Sequence, residues 1–279
     1  MTFIVSGRNG PRWLLIGLLG MFAATAAQAQ VSEETAEQLM RLSGQWAQLD
    51  SSAKQMREGL VKGLQEGMTQ AGTPANPDLL QRVQRAADGA FSAERLRSVT
   101  RRTLAENLRS SYVPELLAWY RTPQAQRITQ AEVDDSASAN DDIKARTQAG
   151  MALVQAAPPA RQQLLVRMVE VTRAPRAFAD FIINMGVALP LTLARFDPQA
   201  KPVTEAELRD TLEQQRPQLT QAFEIIALAG FALVYQSVPD DLLAAYASFM
   251  ASSAGEHYND LGDKALEAAV LAAIAAIKP

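Results

Sequence analysis

Cysteine is absent from this 279-residue chain, and histidine occurs once, at position 257. Without thiols there is no disulfide, no Cys-ligated metal and no thiolate nucleophile. A single imidazole excludes paired-His metal sites and the HExxH arrangement. A serine hydrolase would have to take its base from that one residue, and no Gly-x-Ser-x-Gly elbow is present. Gly-rich phosphate loops are missing too. Nothing here points to a cofactor or a metal. Basic residues are outnumbered, 27 to 30, a poor balance for tracking a phosphate backbone, where affinity comes from Lys and Arg. Nucleic acid is therefore not an expected partner.

What is present begins at the N-terminus. Arg8 and Arg12 precede an apolar run from Trp13 to Ala24, and Ala27-Gln28-Ala29 follows. A basic start, a short apolar core and a small-x-small end make a secretory signal peptide, cut after Ala29. The run falls short of the ~20 apolar residues that span a bilayer; a retained anchor is the alternative. With no Cys behind it, a lipoprotein acyl anchor is excluded. Cleavage removes two of the 27 basic residues and none of the 30 acidic ones, so the net charge moves from −3 to −5. The expected product is a periplasmic chain that folds on hydrophobic packing alone, being long enough to do so.

Beyond Ala29, apolar residues recur at helical spacing almost everywhere, and no period-2 run marks a strand. Caps agree: Asn76-Pro77-Asp78, Ser92-Ala93-Glu94 and Thr122-Pro123 open helices, and Thr204-Glu205-Ala206-Glu207 is a capping box. Breaks fall at Gly72-Thr73-Pro74, Pro158-Pro159, Asp197-Pro198 and Lys201-Pro202. The expected fold is an all-α bundle of about ten helices. Phe181–Leu193 and Ala222–Tyr235 are apolar on most faces yet only 13–14 residues long. They are expected as buried central helices, with no transmembrane span in the mature chain. Pro190 should kink or end the first of them.

The two halves, 30–157 and 158–279, resemble one another and are expected as two helical units able to pack as one domain. Tyr112, Leu116, Trp119 and Tyr120 share spacings with Leu242, Tyr246, Phe249 and Met250 at an offset of 130. An offset of 126 instead aligns Leu116, Leu117, Ala118 and Tyr120 with Leu242, Leu243, Ala244 and Tyr246. The registers differ by about one helical turn and keep the same face inward. Two unrelated amphipathic helices are the alternative.

Trp119-Tyr120-Arg121-Thr122-Pro123-Gln124-Ala125-Gln126-Arg127 follows Glu115-Leu116-Leu117. This stretch resembles the signature of exported bacterial proteins grouped as a domain of unknown function, aromatic-Tyr-x-Ser-Pro-x-Gly-Gln-Lys/Arg. Phe249–Tyr258 resembles a second, degenerate copy that keeps the Gly, at 255, and lacks the Pro. The resemblance implies a periplasmic, α-helical protein and brings no reaction with it. Read physically, the motif is a helix corner, Thr122 capping the second helix and a small residue at 125 or 255 permitting close approach. The sharper reading is an interaction groove lined by Trp119, Tyr120, Pro123, Phe249, His257 and Tyr258.

Other clusters have modest readings. His257 with Glu256 and Asp260 reads as a surface or capping histidine rather than a metal site. The acidic stretch Asp134–Asp142 reads as a solvated linker with Ser138 or Asn140 capping the next helix. Arg95, Arg97, Arg101, Arg102 and Arg109 read as surface ion pairs before an anionic-lipid contact. Leu266, Val270, Ile274 and Ile277 form a stripe for docking the C-terminal helix on the bundle.

Three functions are open on these residues. The first is a non-enzymatic cell-envelope protein that binds another envelope protein. The second is a carrier of a hydrophobic, amphipathic or lipid-type ligand between the two apolar helices. The third is a wall-polymer hydrolase using a buried carboxylate, with Glu224 between Phe223 and Ile225 as the candidate acid.

Overall fold

The computed structural model describes residues 30–70, 77–138, 142–196 and 203–278, the side chains of 67–70 and 79 excepted. The expected signal peptide at 1–29, Asn76, Asn140 and the breaks at 72–74, 197–198 and 201–202 lie outside the described residues. Among those described, twelve α-helices and no strand are found. In chain order they are α1 (Glu33–Leu42), α2 (Gln45–Gln70), α3 (Pro77–Ala90), α4 (Ala93–Asn107), α5 (Val113–Tyr120) and α6 (Pro123–Ser138). Then come α7 (Ile143–Ala156), α8 (Pro159–Thr172), α9 (Ala174–Leu193), α10 (Glu205–Val234), α11 (Asp240–Met250) and α12 (Ser253–Ala276).

The caps are where local chemistry requires them. Ser92 accepts the Arg95 amide at 3.3 Å. Thr204 accepts the Glu207 amide at 3.3 Å while Glu207 takes the Thr204 amide at 3.0 Å, closing the capping box. Two breaks turn on residues with positive φ. Gly44, at φ +78°, turns α1 into α2. Arg173 turns α8 into α9 at φ +53°, a conformation costing a non-glycine residue about 1 kcal/mol or more. Its guanidinium is anchored on α12 by Glu256 and by Asp260 at 2.8 Å.

The acidic stretch corrects an expectation. Asp134 to Ser138 continue α6, and the cap of α7 is Asp142, which accepts the Ala145 amide at 2.8 Å. Arg146 reaches back to both Asp135 oxygens at 2.9 Å. The local charge is thus used to tie α7 to the end of α6, and Ser138 caps nothing.

At the centre lies α12. Ala254, Ala265, Ala269, Val270 and Ala273 are fully buried, with Ile274 and Ile277 beside them. Small side chains let its backbone come close to α4, whose Leu96, Thr100 and Leu104 repeat every four residues and are also fully buried. Arg97 and Arg101 fix α4 from its other side: Arg97 donates to the Trp46 carbonyl at 3.0 Å, and Arg101 pairs with Glu33 and Glu37, each at 2.9 Å. One core runs unbroken from Val31 to Ile277, so the two halves of the chain share a single interior.

The apolar helices α9 and α10 are not central. They pack on each other, α10 also on α7 and α8 and α9 also on α12, and no further layer covers their outer faces. Phe178 stays 49% exposed and Ile225 50%. Both helices outrun their apolar stretches: α9 continues through Pro190 to Leu193, and α10 runs 30 residues through Pro217. By length and composition Ala174–Phe196 and Glu205–Val234 would cross a membrane, so shortness does not argue against it. Polar pairing between them does: Arg216 bridges Asp180 and Glu213, and Arg209 donates to Asn184 at 3.1 Å.

Two glycines give this packing an opposite-signed test. A Cβ on Gly150 of α7 would lie 2.2 Å from the Ala229 carbonyl oxygen, whereas one on Gly230 meets nothing within 4 Å. Gly150→Ala is expected to cost about 1–3 kcal/mol by forcing the helices apart. Gly230→Ala should stabilise by up to about 1 kcal/mol through helix propensity. Urea denaturation of the two variants reads both signs.

Candidate functional site

The helix corners come first, because all six candidate groove residues belong to them. Between α5 and α6, Thr122 accepts the Ala125 amide at 3.1 Å and donates to the Trp119 carbonyl at 2.8 Å. The Gln126 amide donates to the carbonyls of Tyr120 and Leu42, ending α5 and α1 together. Between α11 and α12, Ser252 accepts the Gly255 amide at 3.1 Å. A Cβ on Gly255 would lie 2.1 Å from the Phe249 carbonyl oxygen, so only glycine fits this corner as it stands. Thr122 with Ser252, and Ala125 with Gly255, stand at the 130 offset. The capping geometry therefore coincides in that register and not at 126.

The corners face each other and close the expected groove. Trp119 stacks on Phe249 at 4.6 Å between ring centroids. Tyr120 meets Phe249 and Tyr258 edge-on at 5.5 and 5.6 Å. Tyr120, Phe249 and Tyr258 are buried, Trp119 partly so, and only Pro123 is exposed. These rings are a packed seam, not the walls of an open groove, since aromatic faces at helical spacing are buried most fully by each other. The Trp119 indole nitrogen is left inside it without a partner.

His257 stands apart at the rim of the seam. Its Nε2 accepts the backbone N–H of Arg109 at 3.3 Å, and its ring sits 5.4 Å from that of Tyr112. Burial, then the nearby Arg109 charge, lowers its pKa, which suits a neutral imidazole accepting a hydrogen bond. Glu256 and Asp260, the carboxylates that would complete a metal site, are turned to Arg173 instead. Among the described residues no group of three or more His, Cys, Asp or Glu is placed to hold a metal.

Glu224 is exposed, which removes the motive for a general acid there. Phe223 and Ile225 flank it in sequence, but neighbours on a helix point about 100° apart. The carboxylate that does enter the interior is Glu132 of α6. It accepts the Tyr235 hydroxyl at 2.7 Å, and Tyr246 offers it a second. Burial raises its pKa and the two phenols partly offset that rise. Its place was readable in the sequence: it lies three and four residues beyond Thr129 and Ile128, both buried on the inner face of α6.

An open apolar groove does exist, beside α9 and α10. Ile143 and Thr147 of α7, Phe178 of α9, and Ile226, Gly230 and Phe231 of α10 line a cavity of about 320 Å³. That is the size range of small-molecule pockets. Phe178 stacks on Phe223 at 5.6 Å at its edge, and Ile143 is 61% exposed. Its polar groups are already engaged, Arg146 with Asp135 and the Thr147 hydroxyl with the Ile143 carbonyl at 2.7 Å. The rest of its lining is apolar, so the groove selects chiefly by shape and apolar contact.

The seam should behave as core. Trp119→Ala is expected to cost about 3 kcal/mol or more. Trp119→Phe keeps a ring on Phe249 and deletes the unpaired N–H, so it should cost no more than about 1–2 kcal/mol. Equilibrium denaturation separates the two variants.

Comparison of the chain with protein-family models, curated proteins and solved structures finds no match. The resemblance of the Trp119–Arg127 stretch to an exported family accordingly rests on those residues alone.

Proposed function

We propose that this is an exported, periplasmic protein of the cell envelope that works by binding. Its occupant is the hydrophobic part of an amphipathic or lipid-type ligand, held in the α7/α9/α10 groove. The observation that carries the reading is the groove of about 320 Å³ walled by apolar side chains on helices no other layer covers. An exposed apolar surface is costly in water at about 25 cal/mol per Å². A ligand that covers Phe178, Ile143 and Phe231 recovers part of that cost. The export signal at residues 1–29 supports placing the protein where envelope lipids are near, and the two alike corners support reading the halves as copies.

Apart from Arg146 and Thr147 the groove is lined by apolar residues, which favours a ligand recognised through its apolar portion, with its head left in water. An envelope protein seated on the same face is the rival occupant. A fluorescent fatty acid titrated into the mature protein is expected to bind saturably. Gly230→Leu projects into the groove from a position with open space around it. It should weaken binding at least about 10-fold without lowering the melting temperature. Absence of saturable binding, or equal binding by Gly230→Leu, contradicts the proposal; cross-linking of one envelope protein to this face in its place supports the rival.

A further inference from the structure

A second cavity has the opposite chemistry and shares no lining residue with the first. It lies between α2, α5, α6, α11 and α12 and measures about 180 Å³, room for on the order of ten waters. Glu132 and Asp263 supply two carboxyl groups, and Tyr120, Tyr246 and Tyr258 supply three phenols. No Lys, Arg or His lines it.

The acceptors there are not all used. Glu132 meets only phenols, and Asp263 has another acid, Asp260, as its charged neighbour. Gln45 contributes a buried side-chain oxygen with no hydrogen-bond partner. Tyr120 is only 6% exposed, lines the cavity, and its hydroxyl has no partner among the described residues. Tyr258 and Ser43 are satisfied by each other at 3.1 Å. Burial holds the phenols protonated, the Tyr258 value rising to about 12, so they present neutral rings and hydroxyls rather than charge. Asp263 is pushed up to about 7 by the surrounding protein and then by Asp260. It is exposed at the rim, where water works against that rise, and Glu132 is the deeper anchor.

Carboxylates without a counter-ion, an orphaned acceptor and electron-rich ring faces call for the same thing, a positive charge that donates hydrogen bonds. An anion finds no cation here, and a metal ion finds no sufficient ligand group. We propose that this cavity binds a small organic cation bearing a primary ammonium group, with Glu132 as its counter-ion, Gln45 as a hydrogen-bond acceptor and the tyrosines as its walls.

Ligand-observed NMR of the mature protein with propylammonium and ethanolammonium chlorides tests this directly, with sodium acetate as the anionic control. Saturable binding of an ammonium probe, with a Kd on the order of 1 mM or below, is expected, and none of acetate. Glu132→Gln keeps the shape and an acceptor for Tyr235 but removes the charge, and should weaken the probe at least about 10-fold. Its melting temperature at neutral pH should not fall, because a buried charge is relieved. As a second variant, Gly262→Leu narrows the cavity from α12, where only the flexible Gln45 amide lies near, at 3.4 Å; it too should abolish binding. Gly230→Leu, in the apolar groove, should leave the ammonium probe unaffected. Failure of both probes to saturate by about 10 mM, equal binding by Glu132→Gln or Gly262→Leu, or equal binding of acetate overturns the assignment.

Discussion

Close approach of backbones along α12 sets where its neighbouring helices can lie. Its alanine column at 254, 265, 269 and 273 removes the side-chain bulk that would hold α4 away. Dispersion contacts between the close-packed helices then accumulate along the 15 residues of α4. Around that pair the chain wraps α1, α5, α8, α9 and α11, and the corner glycine at 255 sets the angle at which α11 meets α12. The aromatic seam is the result of two such corners meeting. Trp119 on Phe249 fills the space their helices leave, and the seam in turn closes one end of the polar cavity through Tyr120 and Tyr258.

The same arrangement explains why apolar surface is left over. A single central helix has a limited circumference, and α10 is held to the bundle largely through α7, α8 and α9 rather than through α12. Its outward residues and those of α9 have no further layer to meet. The interior that α12 organises is filled by aliphatic and aromatic side chains, apart from the polar cavity around Glu132. Beside α9 and α10 the packing runs out, and an apolar groove opens to solvent. Two sites of opposite chemistry thus follow from one packing scheme: one lined by carboxyl and phenol groups, one lined almost wholly by apolar side chains.

Much of the fold was legible in the sequence because its determinants are local. Helical periodicity and the hydroxyl caps at Ser92, Thr122 and Thr204 act within four residues of themselves, and each is found in place. The left-handed turn at Arg173 was not legible from its residue type, although Pro175 marks the first turn of α9; its anchors, Glu256 and Asp260, lie more than 80 positions away. Nor was the burial order of the helices. Phe181–Leu193 reads as more apolar than Lys264–Ile277, yet the alanine-rich segment takes the centre because small residues pack closer. The candidate site was half readable: the aromatic residues of the two corners do converge, but whether converging rings seal or line a groove depends on the angle between corners. Glu132 was masked by the acids that follow it at 134 and 135, although its spacing from Ile128 placed it on the inner face.

Ligand binding in the α7/α9/α10 groove can be read at single positions because the chain lacks cysteine. An environment-sensitive fluorophore on Ile143→Cys would sit at the groove, and the same fluorophore on Arg102→Cys, exposed on α4, would report the remote surface. Adding oleate is expected to shift the Ile143→Cys emission to shorter wavelength in a saturable way and to leave the Arg102→Cys emission unchanged. No shift at Ile143→Cys, or the same shift at both positions, would contradict it.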